Sequence, residues 1–168
     1  MKLSLFPFQK KKQYIIKNHH TLLNYYSSLK LTEDEEYKRY LKEKIPLLKP
    51  VFSKTGVVTA ANSSKINDAG AALVLMSEEK VKQYNLKPLA RVIHFADTET
   101  EPIDFCIAPS HSINKLLKIT GMKLSQIELF ELNEAFAVTA LANIKLLDLD
   151  INKVNIYGGA ISMGHPVG

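Results

Sequence analysis

Apolar and polar positions follow little order as far as about residue 50. Beyond residue 55 they fall into short apolar runs separated by turn residues. Residues 56–60 (GVVTA) predict a strand entering a turn, and 71–76 (AALVLM) form a continuous apolar run suited to a strand buried on both faces. Ser77 followed by Glu78 and Glu79 predicts a capped helix that Asn85 and Pro88 end. Residues 89–95 (LARVIHF) read as a strand, and Pro102 and Pro109 bracket a loop. Over 110–120, Ile113, Leu116 and Leu117 recur at helical spacing, with Gly121 as the stop. A strand over 127–132, a long apolar helix over 133–147 and a last strand over 154–157 complete the pattern. Strands alternating with helices predict an α/β architecture, helices packed on a sheet, with ligand sites on loops at strand ends.

The stretch before residue 50 is rich in Lys, Tyr, His and Asn, and reads as a peripheral segment carrying one short helix. A boundary near residue 55 gives two parts, 1–55 and 56–168. Composition narrows the function classes. No apolar run approaches the roughly 18 residues needed to span a bilayer, which predicts a soluble protein with no membrane partner. The net charge of +5 owes much to Lys2, Lys10, Lys11, Lys12, Lys17 and Lys30, all ahead of the first acidic residue, Glu33. Such a run reads as a solvated face or as a site for an anionic ligand. No nucleic-acid motif accompanies it, so nucleic acid is not expected as a partner. Cys106 is the single cysteine, which excludes an intrachain disulfide and implies no metal cluster.

Three places could carry chemistry. Asn133-Glu134-Ala135-Phe136 follows a predicted strand and opens a predicted helix. There Asn133 is either an N-cap, with Glu134 favouring the helix dipole, or a fixed amide that stabilises an oxyanion directly or through water. Gly164-His165-Pro166, with Gly158, Gly159 and Gly168 around it, presents one imidazole on a Gly-rich turn. It is either structural or a group that polarises a carbonyl or accepts a proton near neutral pH. Thr59-Ala60-Ala61-Asn62-Ser63-Ser64 is a run of small residues that a ligand could approach, or a plain turn.

Taken in order, residues 58–68 (VTAANSSKIND), 71–77 (AALVLMS), 88–91 (PLAR), 133–136 (NEAF) and 158–168 (GGAISMGHPVG) resemble the thiolases, specifically the acetoacetyl-CoA type. Residues 33–39 (EDEEYKR) and 101–105 (EPIDF) resemble its mitochondrial members, so the compartment leans mitochondrial, with cytoplasmic as the alternative. The resemblance covers roughly residues 33–168. It implies a thiolase-like layered fold, helices on a mixed sheet, incomplete at both ends. It also implies condensation of two acetyl-CoA to acetoacetyl-CoA and the reverse thiolysis, in a homodimeric or homotetrameric family.

Residue by residue, the resemblance makes His165 and Asn133 the catalytic pair around the thioester oxygen. It sets Ser64 near the pantetheine arm of CoA, and Arg39, Tyr40, Leu41 and Lys44 along its nucleotide end. Ala60, Ala61, Ser63 and Ile161 match positions whose backbone oxygens hold potassium in potassium-activated members. The family's nucleophilic cysteine and its second cysteine match no residue here, and Cys106 aligns with neither. The expectation is a thiolase fragment that binds an acyl-CoA substrate without turnover of its own. The alternative is a degenerate, non-catalytic CoA-binding or assembly module.

Overall fold

In a computed structural model, residues 36–167 are described. The basic run from Lys2 to Lys30 and the acidic residues Glu33, Asp34 and Glu35 lie outside them. The chain divides into two compact units, Met1–Pro46 and Leu47–Gly168.

In the first unit, 3-10 turns cover Glu36–Arg39 and begin again at Lys42–Leu47, which carries Pro46 inside it. The Lys44 amide closes on the Leu41 carbonyl at 3.0 Å. Proline lacks an amide hydrogen and fixes its own φ, which suits a short tight turn better than a long helix.

Among its described residues the second unit has four α-helices. Helix α1 (Glu78–Gln83) starts at Ser77, whose hydroxyl accepts from the Lys80 amide. A hydrogen bond from the same Ser77 lowers the carboxyl pKa of Glu79. Asn85 takes φ 51° just past the end, as the sequence predicts for the stop.

Helix α2 (Ala108–Thr120) begins two residues before the predicted start. Pro109 sits in its first turn, where a missing amide hydrogen costs nothing, and so opens the helix rather than a loop. Gly121, at φ 67°, ends it. Ser112, Ile113, Leu116, Leu117 and Thr120 are half-buried, one stripe of the helix.

Helix α3 (Ala137–Leu147) starts four residues later than predicted, with extended Phe136 at its N-cap and no side-chain cap. The N-cap reading of Asn133 is therefore overturned, because its amide is engaged elsewhere. Helix α4 (Ala160–Met163) is one turn within the Gly-rich segment.

The core consists of Phe130, Leu132, Leu147, Leu149 and Val154, with Ile113, Leu124, Ile127 and Ile144 packed against it. Phe136 stands edge-on to both Phe52 and Phe105, at 5.5 and 6.1 Å between ring centres. Asn143 is fully buried in α3. Its Nδ2 donates to the Cys106 and Thr139 carbonyls at 2.8 and 2.7 Å.

The expected mixed sheet is not formed among the described residues. Pairing is limited to three isolated bridges: Ser63 with Phe136 (antiparallel), Ile66 with His165 and Phe130 with Val154 (both parallel). The predicted strands 71–76 and 89–95 have no ladder partner there, and Leu73, Leu75 and Phe95 are exposed. An apolar run becomes a strand only when a neighbour takes up its backbone groups, so sequence pattern alone could not ensure it. Among the described residues, no helix is long and apolar enough to cross a membrane.

Candidate functional site

Three segments converge in the second unit. The first is held by pairing that ends in a side chain. The Phe130 amide donates to the Lys153 carbonyl at 2.8 Å, and the Asn155 amide donates to the Phe130 carbonyl at 2.9 Å. Asn155 then turns to φ 48°, and its side chain continues the pattern in place of backbone. Its Oδ1 accepts from the Leu132 amide at 2.8 Å, and its Nδ2 donates to the Leu132 carbonyl at 3.0 Å. Asn tolerates left-handed φ better than most residues, which lets it make this turn. Leu132 is thus fixed at both backbone groups, and Asn133 leaves it with a defined direction.

The second segment is 59–67. Thr59 and Asn62 form a capping box over the turn Ala60–Asn62. The Ser63 hydroxyl donates back to the Thr59 carbonyl at 2.7 Å. The Ser64 amide donates to the Ala135 carbonyl at 2.9 Å, which ties this segment to the first.

The third is 158–167. The His165 amide donates to the Lys65 carbonyl at 2.7 Å. Asn67 Nδ2 donates to the Met163 carbonyl at 2.8 Å. Gly164 between them adopts φ 93°, and a Cβ there would overlap the Asn67 side chain. A glycine is required on both counts.

The imidazole of His165 is gripped from both sides. Ser64 Oγ lies 3.1 Å from Nδ1, and Asn133 Nδ2 lies 3.1 Å from Nε2. Donation from Asn133 to Nε2 leaves the proton of a neutral ring on Nδ1, where it donates to Ser64. A hydroxyl can also donate, so Ser64 satisfies Nδ1 in the other tautomer as well. In that tautomer the Asn133 amide nitrogen can no longer donate to Nε2, and once it turns away Nε2–H is available to an oxygen arriving beside Asn133. A cleft of about 570 Å³, lined by Phe105, Ala108, Pro109, Ile113 and Leu132 among others, reaches Asn133. Ser64 and His165 are half-buried and Asn133 is exposed, so a ligand can reach the ring.

Of the expected site residues, Ser64, Asn133 and His165 come together. Ala60 and Ala61 stand on the capped turn, Ser63 pairs with Phe136, and Ile161 lies on α4 with its amide bound to Glu134. Arg39, Tyr40, Leu41 and Lys44 belong to the first unit, where Tyr40 and Leu41 are exposed. Cys106 keeps different company: its Sγ accepts from Thr139 Oγ1 at 3.3 Å. Among the described residues no group of three or more His, Cys, Asp or Glu could hold a metal. Asn155, Glu134 and Asn67 support the site in ways their residue types do not announce, since each acts on a backbone group far along the chain.

Comparison with known proteins decides the family. The model of the thiolase N-terminal domain matches residues 23–79, and that of the thiolase C-terminal domain matches 86–168. The chain belongs to the thiolase family. A probable acetyl-CoA acetyltransferase of Dictyostelium discoideum is 54% identical over 138 residues, covering 82% of this chain and 33% of that protein. The mitochondrial acetyl-CoA acetyltransferase of Mus musculus is 55% identical over 137 residues, covering 81% and 32%. This thiolase chain therefore spans about a third of the length of the curated relatives it matches. Among solved structures, the Acat5 thiolase of Ascaris suum in complex with coenzyme A aligns with a TM-score of 0.74 at 47% identity. That alignment covers 84% of this chain and 38% of the other. The acetyl-CoA acetyltransferase of Bacillus anthracis aligns at 0.73 and 45%, covering 77% and 33%. The second unit thus carries a thiolase-like fold.

Proposed function

We propose that this chain supplies the thioester-polarising part of an acetyl-CoA C-acetyltransferase. The family reaction joins two acetyl-CoA into acetoacetyl-CoA and runs in reverse as thiolysis. The observation that carries the proposal is the His165 ring held between Ser64 and Asn133. The relatives are named acetyl-CoA acetyltransferases, and one aligned structure holds coenzyme A.

The chemistry follows from the geometry. Attack on a thioester, or removal of a proton beside it, moves negative charge onto the carbonyl oxygen. Fixed donors that await this charge lower the barrier. With Ser64 donating to Nδ1, His165 offers Nε2–H to that oxygen. The Asn133 amide, released from Nε2, offers a second donor directly or through water. Ser64 also borders the approach of the pantetheine arm. Arg39 and Lys44 suit the phosphates at the nucleotide end, with Tyr40 and Leu41 beside them.

Potassium is proposed at the backbone oxygens of Ala60, Ala61, Ser63 and Ile161. The fit lies in the donor set: carbonyl oxygens are hard neutral ligands suited to an alkali cation. The segments also meet through one neighbour, since Ser63 pairs with Phe136, and Glu134, two residues before Phe136, binds the Ile161 amide. When bound, the ion would brace these two segments. The family resemblance supports a mitochondrial location and assembly as a homodimer or homotetramer, while the division at residue 55 rests on the shift in composition along the chain.

One observation favours a second reading. The covalent step of the family needs an activated thiolate, and the only thiol in these 168 residues is engaged with Thr139 rather than with His165. In this reading the 168-residue polypeptide by itself is a CoA-binding or assembly module. Two measurements on the purified chain separate the readings. Calorimetric titration with acetyl-CoA is expected to show saturable binding weakened by His165→Ala, and its absence would sink both. Acetoacetyl-CoA cleavage that His165→Ala abolishes would sink the module reading.

A further inference from the structure

Glu134 sits beside Asn133 in the sequence but serves a different segment. Its Oε2 accepts from the Ile161 amide at 3.2 Å, in the first turn of α4. The local sequence expectation, a carboxylate serving the dipole of its own helix, is not what the structure shows, because that helix starts three residues later.

Gly159 shows how close the fit is. A Cβ at that position would run into the Glu134 carboxylate, 2.7 Å from Cδ and 3.0 Å from Cβ. A carboxylate and a glycine backbone are therefore seated against each other at the start of the turn that carries His165. At the end of that turn Asn67 makes the matching contact, donating to the Met163 carbonyl and filling the space beside Gly164. The segment from Gly159 to Gly164 is held at both ends. His165 follows directly, and its ring must meet two partners at 3.1 Å each. A displacement of one ångström at α4 would break either bond.

We infer that Glu134 is a positioning residue for His165: it anchors the α4 turn so that the imidazole sits between Ser64 and Asn133, with Asn67 as the second anchor. Asn133 and Glu134 then divide the work, the first meeting the ring and the second holding the loop that presents it. The ring's position follows from geometry alone. The consequence for thioester polarisation rests on the proposed thiolase function.

The test is histidine ring 15N spectroscopy on the full 168-residue chain, with amide-exchange protection at Phe130 and Asn155 as the control for the fold. Wild type is expected to show His165 nitrogens distinct from those of exposed His94 and His111. Glu134→Ala should lose that distinction while protection at Phe130 and Asn155 is retained. Glu134→Gln keeps an oxygen acceptor for the Ile161 amide and should restore the wild-type pattern. Asn67→Ala should shift the His165 signals in the same direction as Glu134→Ala. Unchanged His165 signals in Glu134→Ala would overturn the inference. So would failure of Glu134→Gln to restore them, or loss of core protection in Glu134→Ala, which would make the role one of general folding. Acetyl-CoA titration of the same samples reports separately: no binding with a Glu134-dependent ring signature leaves the positioning intact and removes the thiolase function.

Discussion

Ser64 Oγ meets His165 Nδ1 at 3.1 Å across 101 positions of sequence, and this hydroxyl can accept from Nδ1–H or donate to a bare Nδ1. With Asn133 Nδ2 donating to Nε2 the proton of a neutral ring sits on Nδ1, and the other tautomer opens once that amide turns away.

Removing that hydroxyl has a defined cost. Ser64→Ala is expected to weaken acetyl-CoA binding by about 1 kcal/mol, roughly fivefold, the usual net worth of one such hydrogen bond. Ser64→Thr keeps a hydroxyl and should lose less. Calorimetry on the three proteins checks this, and equal affinities would contradict it.

Gly164 allows no side chain. Gly164→Ala would force a non-glycine residue into φ 93° and push its Cβ into Asn67. The backbone strain alone is expected to cost about 1–3 kcal/mol. Asn67→Ala in the same background should relieve the contact but not the strain. Thermal unfolding of the single and double variants distinguishes the two parts.

Asn143 supports the core beneath the site. Its side chain is fully buried and donates to two carbonyls, while Oδ1 has no hydrogen-bond partner. Asn143→Ala leaves those carbonyls short of a donor and opens a cavity. Destabilisation of about 2–3 kcal/mol is expected from one buried unsatisfied group and the lost packing. Denaturant unfolding measures it, and a change below about 0.5 kcal/mol, the scale of an ordinary surface substitution, would contradict it.

Much of the site was legible because small residues, glycines and one histidine stood in a recognisable order. Ser77, Asn85 and Gly121 marked helix ends correctly because caps and stops are local chemistry. The start of α3 was misread because Asn133 is as good a cap by type as any residue, and only the location of His165 shows why it is not one. The strands failed for a related reason: Leu73 and Phe95 have the right character but no ladder partner among the described residues. The supporting roles of Asn155, Glu134 and Asn67 were not legible, because each binds backbone, and backbone position cannot be read from a side chain's type.

The proposed potassium site predicts a salt-specific stability. Ligand linkage gives about 1.4 kcal/mol at ten times the dissociation constant. The melting temperature should be higher in potassium chloride than in the chloride of a large organic cation at equal ionic strength. Ser63→Ala should keep the effect, since the proposed donor there is the carbonyl. No difference between the salts would remove the potassium proposal.

In the proposed function, His165 and Asn133 polarise a thioester carbonyl. Isotope-edited infrared spectroscopy of acetyl-CoA carrying 13C at its carbonyl tests it most directly. The bound carbonyl stretch should fall below its value in water for the wild-type chain. It should return toward the free value in His165→Ala and partly in Asn133→Ala. A bound carbonyl whose frequency matches that of free acetyl-CoA, or one equally shifted in His165→Ala, would show that these two residues do not polarise it.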